Sequence, residues 1–66
     1  MCRNIRQLRQ ADSIPTDEAV ELAALQFVRK VSGYRKPSRR NEAAFDRAVA
    51  EIAHSTRRLL ADLTAS

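Results

Sequence analysis

One glycine, two prolines, one cysteine and one histidine are all that these 66 residues contain of the types that build most chemical sites. A single Gly leaves no P-loop and no other glycine-rich phosphate cradle, and a lone His leaves no Ser–His–Asp constellation. A lone Cys excludes an intramolecular disulfide, and a small fold without a disulfide framework fits a reducing cytosol. One Cys with one His does not make a tetrahedral metal site, and the carboxylates show no paired ligand spacing, so neither metal nor cofactor is expected. No apolar run approaches the roughly 20 residues of a membrane span. The Arg-rich N-terminus is followed by no apolar core of a signal peptide, so the chain is expected in the cytoplasm. No segment alternates with period two, and the β-branched residues are scattered, so strands are not expected. There is no internal repeat and no low-complexity tract.

What is present describes one small folded domain over 1–66. Hydrophobic residues make up 44 % of the chain, too many for a disordered one. A chain this short buries only about 60 % of its unfolded surface, which leaves stability marginal or shared with a partner. The net charge of +4 and pI near 10.2 favour nucleic acid, a membrane surface or an acidic protein as partner, of which the membrane is not expected here.

The pattern predicts two helices. Thr16 is placed as an N-cap after Pro15, with Asp17 and Glu18 suited to the positive end of the helix dipole. Val20, Ala24, Phe27 and Val31 then recur at helical spacing, widened by Leu25 and Val28. Arg29 and Lys30 fall in the last turn and Gly33 is the expected left-handed stop, which gives a helix over 17–32. Ser38 is the second expected N-cap, since Pro37 cannot continue a helix from before it. The following helix, 39–63, carries Phe45, Val49, Ile52, Thr56, Leu59 and Leu63 at alternating spacings of four and three, a heptad-like seam.

At 1.5 Å per residue the two helices are about 24 Å and 37 Å long, and the short loop makes them antiparallel neighbours. The expected fold is all-α: an antiparallel helical hairpin, about 17–32 and 39–63, with a short N-terminal helix over 5–11 packed on its open end. In that arrangement Ile5, Leu8 and Ile14 cover Leu59, Leu60 and Leu63; otherwise a second chain must. The expected core is Ile5, Leu8, Ile14, Val20, Ala24, Phe27, Val28, Val31, Phe45, Val49, Ile52, Leu59, Leu60 and Leu63. Truncating Phe27 or Phe45 to Ala would then cost about 3–5 kcal/mol.

The strongest functional signal is the junction between the helices. Residues 29–40 hold six of the twelve basic residues, no acid and the only Gly. Arg35, Lys36, Arg39 and Arg40 gather around the start of the second helix, with Arg29 and Lys30 in the last turn of the first, and free backbone N–H groups with the helix dipole favour an anion at that start. Arg forks match phosphate geometry, Tyr34 offers a ring for stacking on a base or sugar, and Ser38 adds a hydroxyl. The competing reading is a solvated polar loop whose charges aid solubility. Arg39 and Arg40 sit at the unfavourable end of the dipole, a local conflict of the kind that functional sites carry.

Two further features are weaker. Arg40, Arg47, His54 and Arg58 line one face of the second helix, and Arg3, Arg6 and Arg9 share an i, i+3 spacing. Such stripes track a phosphate backbone, but Arg47–Glu51 and Arg58–Asp62 are also ordinary surface partners at i, i+4. Cys2 would become an N-terminal nucleophile if Met1 were removed. Against this reactive thiol, the enzymes that use one need a larger fold, and a small buried Cys packed at the bundle end is the plainer reading. A core of two or three helices leaves little room for a small-molecule pocket, so neither a small-molecule substrate nor catalysis is expected.

Met1-Cys2-Arg3-Asn4-Ile5, Thr16-Asp17-Glu18, the stretch Ala23 to Gly33, Lys36-Pro37-Ser38, Asn41 to Val49 and Arg58-Leu59-Leu60 together resemble the domain-of-unknown-function 2277 family. The likeness covers nearly the whole chain and is most specific in the opening pentapeptide, the Lys-Pro-Ser block and the Asn-Glu-Ala-Ala-Phe block. It implies a bacterial cytosolic protein and implies no activity. The chain departs from the family pattern between Leu8 and Ile14, where aromatic and Pro-rich residues are expected.

The reading that follows is a small non-enzymatic binding protein that contacts nucleic acid or another polyanion through loop 29–40. The alternative is a protein–protein interaction module or homodimer with no nucleic-acid role, motivated by the long helix and the small core.

Overall fold

The computed structural model describes residues 7–9 and 14–63. It contains a helix over Asp17–Ser32 (α1), a 3-10 turn over Arg39–Asn41 and a helix over Glu42–Asp62 (α2). The two helices pack against each other as an antiparallel hairpin, as the sequence predicts.

Local chemistry sets the ends of α1. Thr16 is extended, and its hydroxyl accepts the Ala19 N–H at 3.1 Å while its carbonyl accepts the Val20 N–H at 3.0 Å. The hydroxyl satisfies one of the donors that a helix start leaves open, and the carbonyl takes the first intrahelical bond. At the other end Gly33 adopts φ 79° and its N–H reaches the Arg29 carbonyl at 3.0 Å. That left-handed conformation is where a Cβ is costly, and nothing lies within 4 Å of the position a Cβ would take. The constraint at Gly33 is one of backbone conformation alone.

The second helix starts differently from expectation. The Ser38 hydroxyl caps no backbone N–H; it accepts the Asn41 side-chain amide at 3.2 Å instead. Residues 39–41 form a 3-10 turn, with the Asn41 N–H on the Ser38 carbonyl, before the α-helical pattern begins at Glu42. A tightened first turn of this kind is a common way to begin a helix without a side-chain cap.

The seam between the helices is narrower than the heptad pattern implies. Buried on α1 are Val20, Ala24 and Val28, and on α2 Phe45 and Ala53. Ala53 is fully buried, and with Val20 and Ala24 it forms the centre against which Val49, Ile52 and Leu60 pack. Both helices therefore meet along rows that step by four residues: Val20, Ala24, Val28 on one side and Phe45, Val49, Ala53 on the other. Ridges at i, i+4 pack into the matching grooves in this way, and small side chains on them let the backbones approach. Thr56 sits half-buried beside the row because its hydroxyl donates to the Ile52 carbonyl at 2.7 Å.

This geometry corrects several core assignments. Phe27 is 52 % exposed, and Val31, Leu59 and Leu63 are exposed as well, because a four-residue row rotates away from positions placed by a spacing of three and four. Ala53 was passed over because alanine carries little weight in a hydrophobic pattern. Leu8 and Ile14 are exposed, Ile14 by 85 %, and Leu59 and Leu63 stay exposed, so the expected cover is incomplete, although Ile14 lines a shallow depression with the half-buried Leu60. The N-terminal helix is not formed where it is described: Gln7 is irregular and Leu8 and Arg9 lie in a bend. A seven-residue helix gains too few hydrogen bonds to offset its nucleation. The rest of that proposed helix, with Ile5, lies outside the described residues.

Substitutions separate the two seams. Phe45→Ala should cost about 3–5 kcal/mol in chemical denaturation, as expected for a buried phenylalanine. Ala53→Leu should cost about 1–3 kcal/mol by overpacking the helix contact. In the monomeric hairpin, at concentrations too low for self-association, Phe27→Ala should stay within about 0.5 kcal/mol, the range for exposed positions; a loss there as large as that of Phe45→Ala would restore the heptad seam. At the turn, Gly33→Ala should cost about 1–2 kcal/mol from backbone strain alone.

Candidate functional site

The basic junction is a turn with internal order. The Arg29 Nε donates to the Arg35 carbonyl at 2.9 Å, which ties the last turn of α1 to the loop. The Tyr34 N–H donates to the Ser32 hydroxyl at 3.1 Å. Asn41 closes the other side, donating from Nδ2 to the Tyr34 hydroxyl at 3.3 Å and to the Ser38 hydroxyl at 3.2 Å. Pro37 is half-buried beneath the turn's surface.

The eight predicted residues fall into two groups. Arg29, Lys30, Tyr34 and Arg35 line one shallow depression of about 500 Å³, together with Gln26 and Gly33. Lys36, Ser38, Arg39 and Arg40 lie outside it, around the start of α2, and all four are exposed. Tyr34 has its hydroxyl held by Asn41 and a partly exposed ring. Asn41 and Gln26 were missed by sequence reasoning. The signal for Asn41 was its position three residues after Ser38, where a side-chain amide can reach back across a helix start.

The electrostatics of the turn are one-sided. Among the described residues, no carboxylate lies within ion-pair distance of Arg29, Lys30, Arg35, Lys36, Arg39 or Arg40. Among the described residues no acceptor takes the Arg39 or Arg40 backbone N–H; the backbone bonds of the 3-10 turn are donated by Asn41 and Glu42. The turn therefore presents unpaired cationic forks beside open backbone donors, the chemistry that binds an anion.

The remaining charge works elsewhere. Arg57, passed over in the sequence, is the structural cation of the hairpin. Its Nη2 donates to Glu21 at 2.8 Å and its Nε to Asp17 at 3.0 Å. These bonds, Glu21 first and then Asp17, hold the guanidinium above the ordinary arginine pKa. The charge's contribution is therefore complete below the ordinary value and is lost only as pH climbs through the raised one. Titration of Arg57 leaves the hairpin untouched at neutral and mildly alkaline pH. Neither Arg47–Glu51 nor Arg58–Asp62 comes within ion-pair distance among the described residues. Arg40, Arg47, His54 and Arg58 are exposed.

Beside Arg57 an open groove of about 830 Å³ runs along the hairpin, with Leu22, Leu25, Val49 and Ala50 against Glu21 and Asp46. No group of three or more His, Cys, Asp and Glu side chains among the described residues is arranged to hold a metal. Within the same residues no helix is long and apolar enough to cross a membrane. Cys2, Arg3 and Arg6 lie outside the described residues, so the thiol reading of Cys2 and the first of the basic stripes have no described geometry.

The fold and its turn define a small two-helix protein with a cationic tip. The model of a family described as Uncharacterized conserved protein (DUF2277) matches residues 1–66, and the chain belongs to that family. No curated protein and no solved structure matches it significantly.

The inter-helix ion pair predicts a charge-swap result. Arg57→Glu should lower the urea midpoint, and adding Glu21→Arg should recover part of the loss through the reversed pair. The recovery should shrink as salt screens it. An unchanged midpoint in Arg57→Glu would show that the pair contributes nothing to the hairpin.

Proposed function

We propose that this chain is a small non-enzymatic binding protein that contacts the phosphate backbone of a nucleic acid, or a polyanion of the same chemistry, through the turn 29–40. One observation carries the reading: six cations and two open backbone donors share a turn in which no described carboxylate answers them. Internal hydrogen bonds from Arg29 and Asn41 hold that turn, which lowers the ordering cost of binding. Phosphate contacts position a protein without reading sequence, and no recognition-helix pattern adds base readout. A bacterial cytosolic setting is supported by the single cysteine and by the family likeness.

A second reading, as a protein–protein module, is favoured by a different surface: the uncharged apolar side of the hairpin that exposes Phe27, Val31 and Leu59.

Binding to a mixed DNA and RNA pool, followed by fluorescence anisotropy, tests the first reading. Four phosphate contacts from Arg35, Lys36, Arg39 and Arg40 should give a log–log salt slope of about −3 to −4, at 0.7–0.9 per phosphate. Reversing all four charges should abolish binding while leaving the helical signal intact. Equal affinity in the parent and the reversed variant would refute the assignment.

A further inference from the structure

The two sides of the hairpin differ in kind. Successive residues on an α-helix are about 100° apart. Take Val20, Ala24 and Val28 as the contact line of α1, and Phe45, Val49 and Ala53 as that of α2. One flank of the hairpin then carries Glu21, Leu25, Asp46 and Arg57, which are the residues found along the open groove. The other flank carries Ala23, Phe27 and Val31 from α1 with Ala48, Ile52 and Leu59 from α2. No charged residue falls on that second flank within about 100° of the contact line on either helix. Phe27, Val31 and Leu59 on it are each more than half exposed.

We infer that this uncharged flank is a homodimer interface, in which two hairpins pack face to face and antiparallel into a four-helix bundle. The inference is independent of the polyanion reading, since it uses none of the turn's cations.

Three features select a second copy as occupant. The first is charge. A chain with a net charge of +4 repels its own copies, and a flank free of charge is the surface on which they meet without like-charge contact. An acidic partner or a polyanion would gain nothing there. The second is shape along the flank. The Arg57–Glu21 contact sets Ser55 level with Ala23, so small residues occupy the middle. Phe27 and Val31 lie toward the turn and Leu59 toward the open end. A twofold axis through the small middle seats Phe27 and Val31 of one copy beside Leu59 of the other, a self-complementary contact. It also sends the two cationic turns to opposite ends. A parallel pairing would press them together.

The third feature is the size of the core. Among the described residues Val20, Ala24, Val28, Phe45 and Ala53 alone are buried. A standard dimer buries about 800 Å² on each partner. A two-helix core this small gains the remaining layer from the partner, as helical bundles do.

Sedimentation equilibrium of the full chain, from micromolar to submillimolar, is the direct test. The parent should be a dimer. Phe27→Glu should weaken self-association by at least about thirtyfold, the effect of losing a central aromatic anchor. Leu22→Glu, on the outward surface of α1, should leave it unchanged. The second measurement uses a Cys2→Ser background. Ser55→Cys should form an inter-chain disulfide readily and Ser38→Cys, in the turn, should not. This readout stands even if Phe27→Glu loses its helical signal. A parent that stays monomeric at submillimolar concentration overturns the inference, whether the flank is covered by residues 1–13 or by another protein. So does a dimer indifferent to Phe27→Glu in a folded variant, or one cross-linked through Ser38→Cys.

Discussion

The buried cluster of Val20, Ala24 and Ala53 is the constraint from which the rest of the hairpin follows. Two of its three side chains are alanines, small residues that allow close approach, and close approach turns a row of modest residues into a core. Val20 and Val28 extend the row on α1, Phe45 and Val49 on α2. The same four-residue step carries α2 from Ala53 to Arg57, whose fork then meets Asp17 and Glu21 of the facing helix. Apolar burial and ion pairing are thus consecutive steps of one ridge. Larger residues on that ridge would separate the helices and move Arg57 away from both acids.

Close packing along one line has a consequence for everything off the line. Two helices enclose only one seam, so large residues beside it stay in water unless another layer covers them. Phe27, Val31 and Leu59 are in that position. On the opposite flank the equivalent positions are Glu21, Asp46 and Arg57, which water solvates well. The hairpin is therefore two-sided in chemistry.

The turn forms a third, separate surface. Its order comes from Gly33 reversing the backbone, from Arg29 reaching the Arg35 carbonyl and from Asn41 bridging Tyr34 and Ser38. None of these bonds consumes a cation's capacity for an external anion entirely: Arg29 spends only its Nε, and Lys36, Arg39 and Arg40 spend nothing. A turn that is held by neutral donors and acceptors keeps its charge available. It also lies at one end of the hairpin, and of the exposed residues on the uncharged flank Val31 alone falls within it.

Much of this was legible in the residues. Thr16 with Asp17 and Glu18, and Gly33 after Arg29 and Lys30, bounded the first helix because capping and helix-stop chemistry act within a few residues of the chain. The absence of alternation excluded strands, and the density of Arg and Lys in 29–40 marked the turn for the same local reason. Other features belong to tertiary structure. Which of Val28 and Phe27, or of Ala53 and Ile52, faces the partner helix depends on the crossing of two rods, and hydrophobic spacing on one rod does not contain that angle. Arg57 looked like any surface arginine until α1 arrived beside it. Ser38 had the composition of a cap and became a partner for Asn41, because the first turn of α2 tightened. Short-range chemistry is written in consecutive residues; the identity of a facing surface is decided only when both surfaces exist.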